Sequence, residues 1–178
     1  MGLLSYTQLV ELVSRGVINA KLSQINGASI DITLDAFIRM EGRSGAIDLS
    51  AKENIETVEY EMTPSGYLLA PGEFILASSI EEFNLPNTIV AEYVQKSSLA
   101  RNGLNHCLAG YADPGWHSSK LTLELFNVTR CHQLRLRPGM PIGQMKFFQV
   151  AEVPSHASYA IRGQYNNQEK VTASKGIR

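Results

Sequence analysis

Leu121-Thr122-Leu123-Glu124-Leu125-Phe126 decides the fold class. Leucine stands at every second position, and a period of two marks a strand with one face turned to a core. The opposite face carries Thr122, Glu124 and Phe126. A carboxylate beside an aromatic ring in so apolar a strand is either solvated on an open sheet face or held in a pocket. In a pocket its pKa rises toward the range useful for proton transfer, because burial disfavours the charged form.

The same period recurs on both sides of this stretch. Ile30, Ile32 and Leu34 alternate with Ser29, Asp31 and Thr33; Ile75 and Ala77 alternate with Phe74 and Leu76; Ile89, Ala91 and Tyr93 alternate with Val90 and Glu92. Short strands bounded by turn residues predict a mainly β fold, a distorted jelly roll or barrel, and not βαβ units. Leu69-Ala70-Pro71-Gly72 and Leu136-Arg137-Pro138-Gly139 each place Pro-Gly between apolar runs, as related strand-turn-strand corners would. One helix is expected over residues 5–16, with Ser5 or Thr7 as cap, Leu9, Val10, Leu12 and Val13 as apolar stripe, and Gly16 as stop. Residues 41–65 read as an exposed polar excursion with one short strand pair. Residues 155–178 read either as a lid ordering over a ligand or as a frayed end. The whole chain, 1–178, is expected to be one domain.

Sixteen basic and seventeen acidic residues leave the chain nearly neutral, with no basic run, so a large nucleic-acid interface is not expected. Cys107 and Cys131 are the only cysteines and lack metal-ligand spacing. No apolar run approaches the ~20 residues that cross a bilayer, and no export leader is read, so a reduced, cytoplasmic setting is expected. Gly-rich phosphate loops, a Gly-x-Ser-x-Gly elbow and the His-x-Glu/Pro-Cys-x-x-Cys zinc-deaminase signature are all missing. His106, His117, His132 and His156 are scattered, and each is expected to be a surface or structural residue.

A water-activating carboxylate with hydroxyl and cationic helpers remains. Lys96-Ser97-Ser98-Leu99-Ala100-Arg101 follows an apolar strand and reads as the start of a short helix capped by serine. It is either an ordinary capped turn or, with its two cations, a phosphate contact. Asp113-Pro114-Gly115-Trp116 reads as a turn anchored by Trp116, whose aspartate either caps the turn or faces a sugar hydroxyl.

Together these segments resemble the dCTP deaminase family of the dUTPase-like superfamily. Ile25 to Asp31, Leu69 to Phe74, Ser97 to Arg101, Asp113 to Trp116, Thr122 to Glu124, Leu136 to Gln144, and the tail residues Tyr165 and Gln168 match in order and approximate spacing. The resemblance implies a dUTPase-like β-barrel, a homotrimer with active sites between subunits, Mg²⁺ held through the substrate's phosphates, and deamination without zinc. It implies that Glu124 is the general base for water attacking C4 of dCTP, helped by Ser97 and Arg101. Lys96, Ser98 and Gln168 would hold phosphates, Asp113 the sugar, and the backbone at Ala109 and Thr122 the base edge. Leu123, Tyr159, Gln164 and Tyr165 complete the expected substrate contacts. The expected products are dUTP and ammonia, with dTTP as an inhibitor. The alternatives are a bifunctional enzyme giving dUMP and diphosphate, a dUTPase, or an inactive nucleotide-binding regulatory trimer. Gly110 after Ala109 resembles the bifunctional members. Four departures stand out: Gln95 for a usual glycine, Leu108 for a common threonine, Gln164 for a usual phosphate-binding lysine, and no Gly-Pro soon after Gln168.

Overall fold

The computed structural model describes residues 2–177; residues 1 and 178, the ends of the expected domain and lid, lie outside the described residues. Eleven strands carry the fold: β1 (Gly2–Leu3), β2 (Ile30–Glu41), β3 (Thr57–Glu61), β4 (Tyr67–Leu69), β5 (Phe74–Phe83), β6 (Ile89–Gln95), β7 (Leu104–His106), β8 (Tyr111–Ala112), β9 (Ser119–Asn127), β10 (Leu134–Leu136) and β11 (Pro141–Gln149). Three short helices accompany them: α1 (Tyr6–Ser14), α2 (Ser97–Ala100) and α3 (Tyr159–Arg162). The main sheet runs β7-β9-β5-β2-β11-β6-β8, with β1 on β11 and β3 on β2, while β4 and β10 form a separate antiparallel pair. Every strand pairing is antiparallel.

Three irregularities interrupt the main sheet, one between Pro141 and Gly143 of β11 and two larger ones in β2 and β5. Between Leu34 and Ile38 strand β2 slips against β5, and between Ser78 and Glu82 strand β5 slips against β9. Extra residues on one strand bend it and increase its twist. At the β5 bulge the Ser79 hydroxyl accepts the Leu121 N–H at 2.9 Å, so the interrupted ladder leaves that donor satisfied. The mainly β expectation holds, and the aliphatic face read from β9 is the inner one: Leu123 and Leu125 are fully buried with Ile30, Ile32, Leu34, Ile75 and Phe147.

The Pro-Gly echo has a structural counterpart. Gly72 and Gly139 both take the positive φ that such corners require, +75° and +79°. The strands entering the corners, β4 and β10, pair with each other, and the strands leaving them, β5 and β11, both pair with β2. The helix is shorter than expected. Ser5 is the N-cap, its N–H donates to Gln8 Oε1 at 3.0 Å, and the chain leaves helical geometry by Gly16 at φ +72°. Within residues 41–65 there is a 3-10 turn at Leu49–Ala51, and the only strand is β3, which pairs with β2 and not with a partner inside the segment. No helix among the described residues is long and apolar enough to cross a membrane.

Candidate active site

The outward face of β9 borders a cavity of about 460 Å³. Period two sends Thr122 and Glu124 into it from β9, and Phe74 and Leu76 join them from β5, where Leu76 lies opposite Glu124. The loop through β8 adds Ala109, Tyr111 and Asp113. The tail adds Tyr159, Tyr165, Gln168 and residues 172–174, and the excursion closes the last side with Ile47, Leu49, Asn54 and Ile55. Seven expected site residues therefore meet: Glu124, Thr122, Ala109, Asp113, Tyr159, Tyr165 and Gln168.

Glu124 is in the pocket, not on an open face. Its side chain is 25% exposed, and burial holds its carboxyl above the ordinary value of 4.5. Oε2 is enclosed and has no hydrogen-bond partner among the described residues. His106 Nε2, likewise without one, lies 3.7 Å away. The imidazole is 4% exposed and packs on Tyr93 with ring centroids 4.5 Å apart, and desolvation pushes its pKa down. Burial thus disfavours the charged form of both groups.

Asp113 does not cap its turn through its side chain. The turn is closed by the Trp116 N–H donating to the Asp113 carbonyl at 3.2 Å, while the carboxylate stays exposed at the cavity. Trp116 anchors the turn as expected. Its ring stacks on Phe83 at 5.2 Å and its Nε1 donates to the Tyr165 carbonyl at 2.7 Å, which ties the tail to the turn. Gly115 takes φ +89°, and a Cβ there would sit 2.0 Å from Ser158 Oγ. Only glycine lets the turn and the tail approach so closely.

The tail is not a frayed end. It lies along the part of β9 that β7 leaves unpaired: the Lys120 N–H donates to the Gln168 carbonyl at 2.8 Å, and the Thr172 N–H to Thr122 Oγ1 at 3.3 Å. Val171 and Gln168 are buried, and Gln168 Oε1 has no partner among the described residues.

Six expected site residues stand apart from the cavity. Leu123 is fully buried in the core, because its place between Thr122 and Glu124 turns it to the other face. Ser97, Ser98 and Arg101 are exposed on or beside α2, which does not border the cavity. The serines do not cap this single turn; Lys96 is the N-cap residue, since the Leu99 and Ala100 N–H groups already donate to its carbonyl. The Lys96 ammonium is 2.8 Å from Asp31 Oδ1, so its charge is already partnered within the chain. Gln164 lies outside the lining, and its carbonyl accepts a 2.6 Å hydrogen bond from Lys175 Nζ.

Two parts of the site escape the sequence reading. His106 does alternate with Leu104 across exposed Asn105, but its meeting with Glu124 depends on the β7–β9 register, which no local pattern encodes. The excursion reads as polar, yet its Ile47, Leu49 and Ile55 border the cavity. Among the described residues no three His, Cys, Asp or Glu side chains are grouped so as to hold a metal ion.

The chain matches the dCTP deaminase-like family over residues 3–150. It is 38% identical over 159 residues to the "dCTP deaminase, dUMP-forming" of Corynebacterium glutamicum (strain R), covering 85% of this chain and 82% of that one. A protein of the same name from Kocuria rhizophila is 36% identical over 159 residues, covering 86% and 82%. The fold matches the crystal structure of 2'-deoxycytidine 5'-triphosphate deaminase from Agrobacterium tumefaciens with a TM-score of 0.65 at 19% identity. That match covers 83% of this chain and 48% of the other, so the chain spans about half of that protein's length. These relatives correct one expectation: they are named dUMP-forming, which overturns the reading of dUTP as the end product. The strands that place Glu124, and the similarity over most of the chain's length, agree: the chain belongs to the dCTP deaminase-like family.

Proposed function

We propose that this protein is a bifunctional hydrolase that takes dCTP through deamination to dUMP. Two waters are consumed: one replaces the C4 amino group, releasing ammonia, and one cleaves the α–β phosphate bond, releasing diphosphate. The observation that carries this is Glu124 Oε2, enclosed and unpartnered among the described residues, on a carboxylate that borders the cavity and whose pKa burial raises. The dUMP-forming relatives support the second cleavage.

Glu124 accepts the proton of the water attacking C4 and returns protons to N3 and the leaving amine. The backbone at Ala109 and Thr122 borders the base, and Tyr159 and Tyr165 wall its sides. Asp113, exposed at the cavity and unused by its own turn, takes the sugar hydroxyl or orients the second water. Both hydrolyses are proposed to proceed without zinc. Mg²⁺ fits the oxygen donors of a polyphosphate and needs no protein cage; bound there, it supplies charge neutralisation at the phosphates. Ser97 and Arg101 are proposed to reach the cavity from a second copy of the chain, in a homotrimer, since α2 stands away from the cavity of its own chain.

The test is to incubate the protein with dCTP and Mg²⁺ after zinc chelation and to resolve ammonia, dUTP, dUMP and diphosphate. Ammonia, dUMP and diphosphate in equal amounts are expected. Accumulating dUTP sinks the second step, absence of ammonia sinks the first, and loss of activity on removing zinc sinks the zinc-free mechanism.

A further inference from the structure

Helix α2 is a single turn, and one turn makes too few internal hydrogen bonds to hold its own shape. Its surroundings must aim it. The β6–β11 ladder ends with Gln95 opposite Gly143, so Lys96 is the first residue off the sheet. Past the turn, the Val128 N–H donates to the Gly103 carbonyl at 2.9 Å, and Leu99 packs partly on the core. Among the described residues, one side-chain bond ties residues 96–101 to another element: the Lys96 ammonium on Asp31 Oδ1 of β2, at 2.8 Å.

That carboxylate is itself held from two sides. Asn26 Nδ2 donates to the same Oδ1 at 2.7 Å, and Gln24 Nε2 donates to the Asp31 carbonyl at 2.8 Å. The chain leading into β2 thus fixes both the side chain and the backbone of Asp31. Only 22% of the Asp31 side chain and 28% of that of Lys96 are exposed, so salt screens this pair less than a surface pair. The Lys96 carbonyl in turn accepts the Leu99 and Ala100 N–H groups, at 3.0 and 3.2 Å. The tether therefore grips the residue from which the turn starts.

Resting on the two-copy reading of the site above, we infer that Asp31 is a positioning residue. Through Lys96 it aims Ser97 and Arg101 of its own chain at the cavity of a neighbouring copy. It touches no substrate and moves no proton. Its effect is geometric, and a misplacement of about 1 Å can cost ~10²-fold in rate.

Mixed assemblies test this, because they report which part of a chain is damaged. Asp31→Ala should lower deamination at least ten-fold. Asp31→Glu, which keeps a carboxylate within reach of Lys96, should retain most of the activity. Subunits of Asp31→Ala are then exchanged with those of Glu124→Gln and, separately, of Arg101→Ala. The Glu124→Gln chain should restore activity in part, since its intact α2 completes sites whose Glu124 comes from the Asp31→Ala chain. The Arg101→Ala chain should restore none, since both chains then carry a defective α2. Should Asp31→Ala fail to fold, as a thermal melt would show, the nearly isosteric Asp31→Asn takes its place. Near-normal turnover in both variants overturns the assignment. So does restoration by Arg101→Ala, or failure of Glu124→Gln to restore activity. If Glu124→Gln and Arg101→Ala do not repair each other, the two-copy reading falls and this inference falls with it, a result distinct from the others.

Discussion

Glu124 ties the stability of the fold to pH through its burial. Burial keeps it protonated to a higher pH in the folded chain than in the unfolded chain, whose value is near 4.5. Folding therefore takes up a proton in the interval between the two values. The stability linked to this group is complete below 4.5 and declines as pH rises through the folded-state pKa. Glu124→Gln removes that decline. Thermal melts across pH should show the variant more stable than wild type at neutral pH, with the difference closing below 4.5. The same variant cannot accept a proton, so deamination should fall ~10²–10⁴-fold while dCTP still binds. An isothermal titration beside an ammonia assay checks both halves; near-normal turnover would remove Glu124 as the base. The alternation around Glu124 made the residue visible in the sequence, but not whether it was wet. That depended on strands β5 and β7, which pack beside it, and on the cavity it borders.

At the scale of elements, the tail and the Asp113–Trp116 turn act as one unit. The Trp116 indole holds the Tyr165 carbonyl, the Tyr159 N–H donates to the Pro114 carbonyl at 3.0 Å, and Ser158 Oγ donates to Asn87 Oδ1 at 2.7 Å, all around Gly115. Gly115→Ala adds a methyl group where Ser158 Oγ stands and imposes a positive φ on a residue with a side chain. Such local strain costs ~1–3 kcal/mol, and the simplest relief is to release the tail. Limited proteolysis should cut the variant within residues 155–177 faster than wild type, and its melting temperature should fall. Equal cleavage rates would show that the turn does not hold the tail. Asp-Pro-Gly-Trp announced this turn plainly in the sequence, because each residue type has a local reason to be there. The docking of residues 164–172 on β9 had no such announcement, since their hydrogen bonds are to a strand some fifty residues away.

At the scale of the molecule, α2 stands apart from the cavity. If the site is completed by a second copy, two differently damaged chains can repair one another. Glu124→Gln and Arg101→Ala should each be inactive alone. Co-refolding or subunit exchange should restore a fraction of wild-type activity, because a mixed assembly contains sites with an intact Glu124 from one chain and an intact Arg101 from its neighbour. Mixtures that stay inactive, with mixed assembly verified by mass spectrometry, would mean that α2 serves the site of its own chain or none.

The local pattern of the chain was enough for strands β2, β5, β6 and β9, its two Pro-Gly corners and its one longer helix. Those features come from interactions within a few residues: the period of a pleated strand, the positive φ that glycine allows, the cap of a helix. Tertiary structure decided the rest. Bulges in β2 and β5 curled the sheet, the β7–β9 register set His106 opposite Leu125, one residue from Glu124, and a polar-looking excursion turned Ile47, Leu49 and Ile55 to the cavity. Folding also brought Lys175 back to Gln164 and bound Lys96 to Asp31, so that among the described residues one lysine has no carboxylate partner and the other has one. Charge at a given point depends on which segments meet there, and a linear pattern carries no record of that.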